Sequence, residues 1–367
     1  MNLELDEEQR LLQQALDRFL EKRLPFETRR KQNDGAAFLA FWRSLDEELG
    51  IAGAGLPEAL GGFGGGAEAE MIVAGGLGGA LAVTPFVDSF VLSANLLDRL
   101  GQAELAADVA RGEKLVVVAT EEAQTRGDVR KTEARAEQAG EGWALSGGKV
   151  AVDWAPQADA VLVPALLPDG ELGIFLVEAA ALGKGLHPYR LIDDTPSADL
   201  DLDGVTLSHD ALLASGEDAV AALEAAVARA LSAYCAQGAA IAAVMVEDTI
   251  AYSKEREQFG APLASFQALQ HRMADLYTEL ELARSAVEGG LQAIDSGFAV
   301  TEAAALAKAR ANEALHLISR EGIQLHGGIG MTDEYDVGFY LKRARVLEAS
   351  WGSGSHLRDL YASMKGF

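Results

Sequence analysis

The sequence contains a single cysteine, Cys235, so no internal disulfide can form and a reducing, cytoplasmic setting is expected. Cys235 lies in an alanine-rich run of helical pattern, where the expected role is a buried structural thiol rather than a nucleophile. Positive charge is also scarce. Thirty-one Lys and Arg against 56 Asp and Glu leave a formal net charge of −25, which argues against a nucleic-acid partner. A small polyanion is not excluded, because a few well-placed arginines suffice for a pyrophosphate. No run approaches the ~18 consecutive apolar residues of a membrane span, so no membrane partner is expected. The six histidines lack metal-ligand spacing; His271, His316 and His326 each stand without a companion one helical turn on, and no metal site is expected. The opening Met1-Asn2-Leu3-Glu4-Leu5-Asp6-Glu7-Glu8 is acidic, unlike the basic start of a secretory signal.

The 367 residues are 49% hydrophobic, enough to bury a large core in two or three domains. Three textures follow one another. Residues 1–112 read as helical, opening on the capping-box pattern Asp6-Glu7-Glu8-Gln9 with Leu11, Leu12, Ala15, Leu16, Phe19 and Leu20 at helical spacing behind it. Gly61-Gly62-Phe63-Gly64-Gly65-Gly66 is a loop, and helical patterns resume over 67–81 and 85–112. Residues 113–213 read as β, with short apolar runs at Leu115–Ala119, Trp143–Leu145, Val150–Val152 and Ala160–Val163. Pro168-Asp169-Gly170 predicts a turn, and Ala198 to Gly204 alternates as a half-exposed strand ending at Asp-Gly. Strands this short and close suggest a small barrel or sandwich. Residues 214–367 are helical again: one long pattern over 219–257, a face marked by Phe266, Leu269, Met273, Leu276 and Leu280, and a pattern over 301–321 with Thr301 as N-cap. Helices, strands, helices is not the alternation of a doubly wound sheet.

Two segments carry residues that packing does not call for. In Tyr252-Ser253-Lys254-Glu255-Arg256-Glu257-Gln258-Phe259-Gly260, followed by Phe266-Gln267, a helix is expected to stop near Gly260 and another to begin near Pro262 or Ser265. Arg256 and Gln267 flank that corner, although a cation there also simply complements a helix C-terminus. In Gln324-Leu325-His326-Gly327-Gly328-Ile329-Gly330 the glycines serve either a helix cap or close approach of a ligand to the backbone.

Arg-x-x-Phe-Gly, then Phe-Gln, then Gln-x-x-Gly-Gly-x-Gly together resemble the acyl-CoA dehydrogenase family. The opening helix and the Pro57-Glu58-Ala59-Leu60-Gly61-Gly62-Phe63-Gly64 loop resemble it too, so the likeness spans nearly the whole chain. It implies a mainly α fold with a β middle domain: an N-terminal helical domain (1–112), a small β-barrel or sandwich (113–213) and a C-terminal four-helix bundle (214–367). It also implies FAD as cofactor, an acyl-CoA thioester as substrate and electron-transfer flavoprotein as electron acceptor. In the family a carboxylate removes the α-proton while the β-hydride goes to flavin N5. By the same resemblance Arg256, Phe259, Gln267, Gln324, Gly327 and Gly328 would reach across a subunit interface to a neighbour's FAD, with Arg256 pairing the pyrophosphate.

The departures matter as much. The position where many members carry the catalytic Glu falls on Trp351, and the alternative position on the long helix falls on Ala230. The family's flavin-lining Thr-Glu-Pro run reads Thr120-Glu121-Glu122-Ala123-Gln124-Thr125-Arg126-Gly127-Asp128. Its flavin-covering strand reads Lys149-Val150-Ala151-Val152-Asp153-Trp154, with both flavin-facing positions, Ala151 and Asp153, altered. The pattern resembles the small, non-catalytic subunit of heteromeric members, such as pimeloyl-CoA-dehydrogenase-type or steroid side-chain enzymes, paired as α2β2 with a second subunit that supplies the base. No catalytic residue is then expected in this chain. The other readings are a homomeric dehydrogenase or oxidase with a base relocated to Asp153, Glu348, Asp333 or Glu334, and a flavin-free scaffold subunit.

Overall fold

The computed structural model describes residues 5–32, 34–125 and 127–367; the sequence expectations at Met1–Glu4 and Arg126 lie outside them. The helices are α1 (Glu7–Arg23), α2 (Phe26–Arg29), α3 (Gly35–Leu49), α4 (Gly66–Gly79), α5 (Ala94–Arg99), α6 (Ala103–Ala110), α7 (Ala179–Leu182), α8 (Gly216–Glu255), α9 (Gln267–Ser296), α10 (Val300–His326), α11 (Val337–Ala349) and α12 (Gly354–Met364). The strands are β1 (Val116–Val118), β2 (Arg135–Ala139), β3 (Gly142–Ser146), β4 (Gly148–Asp153), β5 (Ala160–Leu166), β6 (Leu172–Glu178), β7 (Leu186–Arg190), β8 (Pro196–Asp201), β9 (Thr206–Ser208), β10 (Leu212–Ser215), β11 (Glu257–Gln258) and β12 (Ala261–Pro262). The helix–strand–helix order is therefore present. Contacts divide the chain into two compact units, one of Lys31–Glu70 and Val83–Ala230, the other of Met1–Arg30, Met71–Ala82 and Leu231–Phe367.

The first unit holds two sheets. One runs β10-β6-β5-β2-β3-β9 with β1 parallel to β5; the other is β4-β8-β7, antiparallel throughout. β1 and most of β5 are buried, which explains their unbroken apolar sequence. In β8 and just beyond, Ala198, Leu200 and Leu202 are buried while Asp201 and Asp203 are exposed, so the alternation does mark two faces. Pro168-Asp169-Gly170 closes the β5–β6 hairpin, with Gly170 at φ 86°. The glycine loop is set by close approach: a Cβ on Gly62 would lie 2.2 Å from the Leu56 carbonyl oxygen. The expected helix over 85–112 is interrupted; Phe86–Ser93 is a π-helix that leads into α5.

The second unit is a helical bundle in which α10 packs on α9, α11 and α12. Small residues let the helices come close: Cys235, Val287, Ala307 and Ala311 form one buried cluster, and a Cβ on Gly78 would meet Gln237 Cα at 2.8 Å. The capping box at Asp6 and Gln9 forms as the sequence predicts. Thr301 is not the N-cap of α10; Ala299, at φ 51°, takes that place and Thr301 falls in the first turn. α8 is long and apolar enough by length and composition to cross a membrane, but 67% of its apolar window is buried in the protein. Among the described residues no cluster of three or more His, Cys, Asp or Glu side chains is arranged to hold a metal.

Candidate functional site

The helix-to-helix corner expected at Gly260 is built differently from the sequence reading. α8 ends at Glu255, and Arg256 closes its last turn by donating its N–H to the Tyr252 carbonyl at 2.8 Å. A two-residue hairpin follows, β11 paired with β12, whose tip is Phe259 at φ 56° and Gly260 at φ 79°. A left-handed phenylalanine is costly, and here it serves a tight turn. Phe259 is 93% exposed, and among the described residues its ring contact is an edge-on approach to Phe266 at 6.3 Å. Gln267 is the first residue of α9. Arg256 and Gln267 are exposed, and neither side chain has a hydrogen bond or ion pair within the described residues.

The second segment lies at the end of α10. Gln324 is exposed, α10 stops at His326, and Gly327 caps it at φ 67° before a short 3-10 turn over Gly327–Met331. A Cβ on Gly327 or Gly328 would meet nothing within 4 Å, whereas one on Gly330 would press on His326 Cβ at 3.0 Å. Gly330 is thus favoured by tight packing, and the other two leave backbone open to an approaching group. The two segments meet inside the bundle: the Tyr252 and His326 rings stack with centroids 4.5 Å apart. A cation, two free amides and bare glycine backbone on one unit fit a flat anionic cofactor.

The positions where a base is expected hold none. Ala230 is 1% exposed. Trp351 is half-buried at φ 61° and forms, with Gly352 at φ 100°, a left-handed turn between α11 and α12. Two buried side chains of α10 brace that turn: Lys308 Nζ donates to the Leu347 carbonyl at 2.5 Å and to Asn312 at 2.8 Å. Burial pushes the Lys308 ammonium down to about 8. Glu348 is fixed by its neighbours. Its Oε2 lies 3.0 Å from both Arg345 Nη1 and His316 Nδ1, and its Oε1 is buried. Asp333 and Glu334 are exposed on the turn before α11, and Asp153 is half-buried at the end of β4.

The sequence reading missed a buried hub in the first unit. Glu122 accepts from Lys149 Nζ at 2.6 Å, from Thr132 Oγ1, from the Glu133 and Ala134 amides at 2.8 and 3.2 Å, and from Gln124 Nε2 at 2.7 Å. Burial alone would raise its carboxyl, but Lys149, Thr132 and the Glu133 amide bring it down to about 2. This hub ties down the Glu121–Thr125 turn, whose Thr125 Oγ1 also donates to Glu121 at 2.8 Å. Ala151 is exposed at φ 51° in a bulge of β4, its N–H held by Asp199 at 3.0 Å. A second buried group, Glu70, is bound by Arg229 Nε at 2.6 Å and by Asn95 at 3.2 Å, next to Ala230 in sequence. Cys235 is buried and its thiol is pushed up to about 12 by burial.

Residues 6–111 match the N-terminal domain of acyl-CoA dehydrogenases and residues 219–364 match their C-terminal domain. The acyl-CoA dehydrogenase IpdE2 of Mycolicibacterium smegmatis is 30% identical over 305 residues, 83% of this chain and 80% of that protein. Among solved structures, a variant of the Tcur3481–Tcur3483 steroid ACAD is similar at a TM-score of 0.88 and 30% identity, covering 98% of each chain. The ChsE4–ChsE5 complex from Mycobacterium tuberculosis is similar at a TM-score of 0.88 and 25% identity, covering 100% of this chain and 99% of that one.

Proposed function

This chain belongs to the acyl-CoA dehydrogenase family, and on that premise we propose that it is the base-less member of a heteromeric pair, completing the FAD site of a catalytic partner subunit. The family is one of FAD-dependent oxidoreductases. Bound FAD supplies the hydride acceptor for α,β-desaturation of an acyl-CoA thioester. The part of this chain is to bind and orient. Arg256 would ion-pair the pyrophosphate, Gln324 and Gln267 would hydrogen-bond the cofactor, Phe259 would cover apolar surface at the interface, and Gly327 and Gly328 would admit the cofactor to the backbone.

The observation that carries this reading is the occupant of the base position. Trp351 has no group that accepts a proton, and Glu348, the nearest carboxylate in sequence, is engaged by Arg345 and His316. A base must reach its proton within hydrogen-bond distance, and a carboxylate held between a guanidinium and an imidazole is poorly placed to do so. An exposed Arg256 and a nearly bare Phe259 suit a chain that donates contacts outward. The likeness to a steroid ACAD named by two proteins and to the ChsE4–ChsE5 complex supports pairing with a second subunit, and the first favours a steroid-derived acyl-CoA over a dicarboxyl-CoA or another bulky acyl-CoA; an α2β2 assembly belongs to the same reading. A cytoplasmic location, electron-transfer flavoprotein as acceptor, and the division into 1–112, 113–213 and 214–367 belong to the same reading.

The test is ferricenium reduction with a panel of acyl-CoAs, using the chain alone and the chain co-purified with the product of its neighbouring gene. Activity confined to the pair is the expected result. Turnover by the lone chain would overturn the proposal.

A further inference from the structure

The two candidate clamp segments come from helices far apart in sequence, yet one part-buried contact joins their ends. Tyr252 lies on the last turn of α8, and its carbonyl accepts the Arg256 N–H that closes that turn. Its ring stacks on His326, the last residue of α10, at a centroid distance of 4.5 Å and an interplanar angle of 27°. Its hydroxyl donates to the His326 carbonyl at 3.3 Å, the peptide that leads into Gly327. His326 is 3% exposed, and Tyr335 closes the cluster, its ring 4.8 Å from His326 and 5.7 Å from Tyr252.

The histidine is fixed on its own helix as well. Its Nδ1 lies 2.7 Å from the Gly322 carbonyl. A carbonyl only accepts, so Nδ1 carries the hydrogen and the neutral ring cannot flip without breaking that bond. Nε2 is then a buried lone-pair acceptor with no hydrogen-bond partner among the described residues, so the Nδ1 bond is what sets the ring's orientation. Gly322 itself lets α10 sit close to α8, since a Cβ there would lie 3.3 Å from Met245 Cε and 3.4 Å from Thr249 Oγ1.

We propose that Tyr252 and His326 are positioning residues that hold the Arg256 corner in register with the Gly327–Gly328 loop, so that both reach one FAD at once. This rests on the clamp reading above. Neither ring needs to touch the cofactor. A simultaneous cation and backbone contact is gained only if the two ends are pre-set, because otherwise binding must order them.

The test is FAD titration into the deflavinated heteromeric complex, comparing wild type, R256A, Y252A, Y252F and the double variant Y252A/R256A. Y252A should raise the FAD Kd about tenfold, as loss of register would, and Y252F, which keeps the stacking face, should restore it to within about threefold. If Tyr252 acts through the arm, Y252A should add less than about twofold in the R256A background, because coupled residues are not additive. A full tenfold effect of Y252A with or without Arg256 would overturn the inference while leaving the clamp in place, and so would no effect of Y252A beside a clear effect of R256A. An unchanged Kd in R256A would overturn the clamp reading itself. If Y252A does not assemble, Y252L takes its place, filling the volume without an aromatic face and read by the same outcomes. The absorbance of bound flavin gives a second readout, expected to shift toward that of free FAD in Y252A and to stay at the wild-type position in Y252F.

Discussion

Replacing Lys149 by Met removes the ammonium from a pocket where Lys149 is 0% and Glu122 5% exposed. The methionine fills nearly the same volume, so the cost is electrostatic. Glu122 keeps four of its donors, Thr132, Gln124 and the Glu133 and Ala134 amides, which places K149M near the lower end of the 3–5 kcal/mol typical of a broken buried pair, about 3 kcal/mol. E122Q is worse placed. Its amide oxygen still accepts from Lys149, but the counter-charge of the buried ammonium is lost and the new N–H₂ faces two donors, the Glu133 N–H and Gln124 Nε2, so about 4–5 kcal/mol is expected. K149M/E122Q removes both charges and should cost less than the two single changes added, by about 2 kcal/mol or more. Guanidinium unfolding followed by tryptophan fluorescence is the assay, since Trp143 and Trp154 are buried in the same unit. The pH dependence has a definite sign. Against the effect of burial, the Lys149, Thr132 and Glu133 partners bring the folded Glu122 carboxyl down to about 2 from the ordinary glutamate value of 4.5, so its stabilisation is complete above the unfolded value and is lost as pH falls from there toward 2. That acid-side slope should be absent in E122Q. Single variants within about 1 kcal/mol of wild type, or strictly additive with the double, would refute the hub.

R256A should lower FAD occupancy of the purified complex, losing about 1.5–3 kcal/mol of binding from one charge-assisted contact, as read by the ratio of flavin to protein absorbance. Lys308 titrates at about 8 when folded and 10.5 when unfolded, so the unfolded chain binds the proton more tightly and stability gained from this residue rises between those values. Urea unfolding across that range should show the rise in wild type and not in K308M. Cys235, buried with its thiol pushed up to about 12, should resist a thiol reagent in the native protein and react at once in guanidinium; reaction of the folded chain at the rate of a free thiol would contradict its burial.

The elements were legible where periodicity or turn chemistry decides them. The capping box at Asp6, the apolar runs of β1 and β5, the Pro168–Gly170 turn and the long pattern of α8 all follow from local sequence. The β11–β12 hairpin was not, because each strand is two residues long and its turn uses a left-handed phenylalanine that no propensity favours. Thr301 looked like an N-cap, but α10 begins on a left-handed Ala299. The buried ionic groups were hidden for a different reason. Lys149 sits in a short strand where alternation alone suggests a solvated side chain, and its partner Glu122 is 27 residues away. The clamp residues were legible as a combination of motifs, whereas the Tyr252–His326 contact spans 74 residues and leaves no local mark.

The most direct measurement is the flavin content of the complex, by absorbance after denaturation against protein concentration by amino-acid analysis. A chain that lends its arm to a partner and keeps no site of its own should give half a flavin per chain in the pair and none in the lone subunit. One flavin per chain in the pair, or a lone subunit that purifies with a full complement of FAD, would contradict the account.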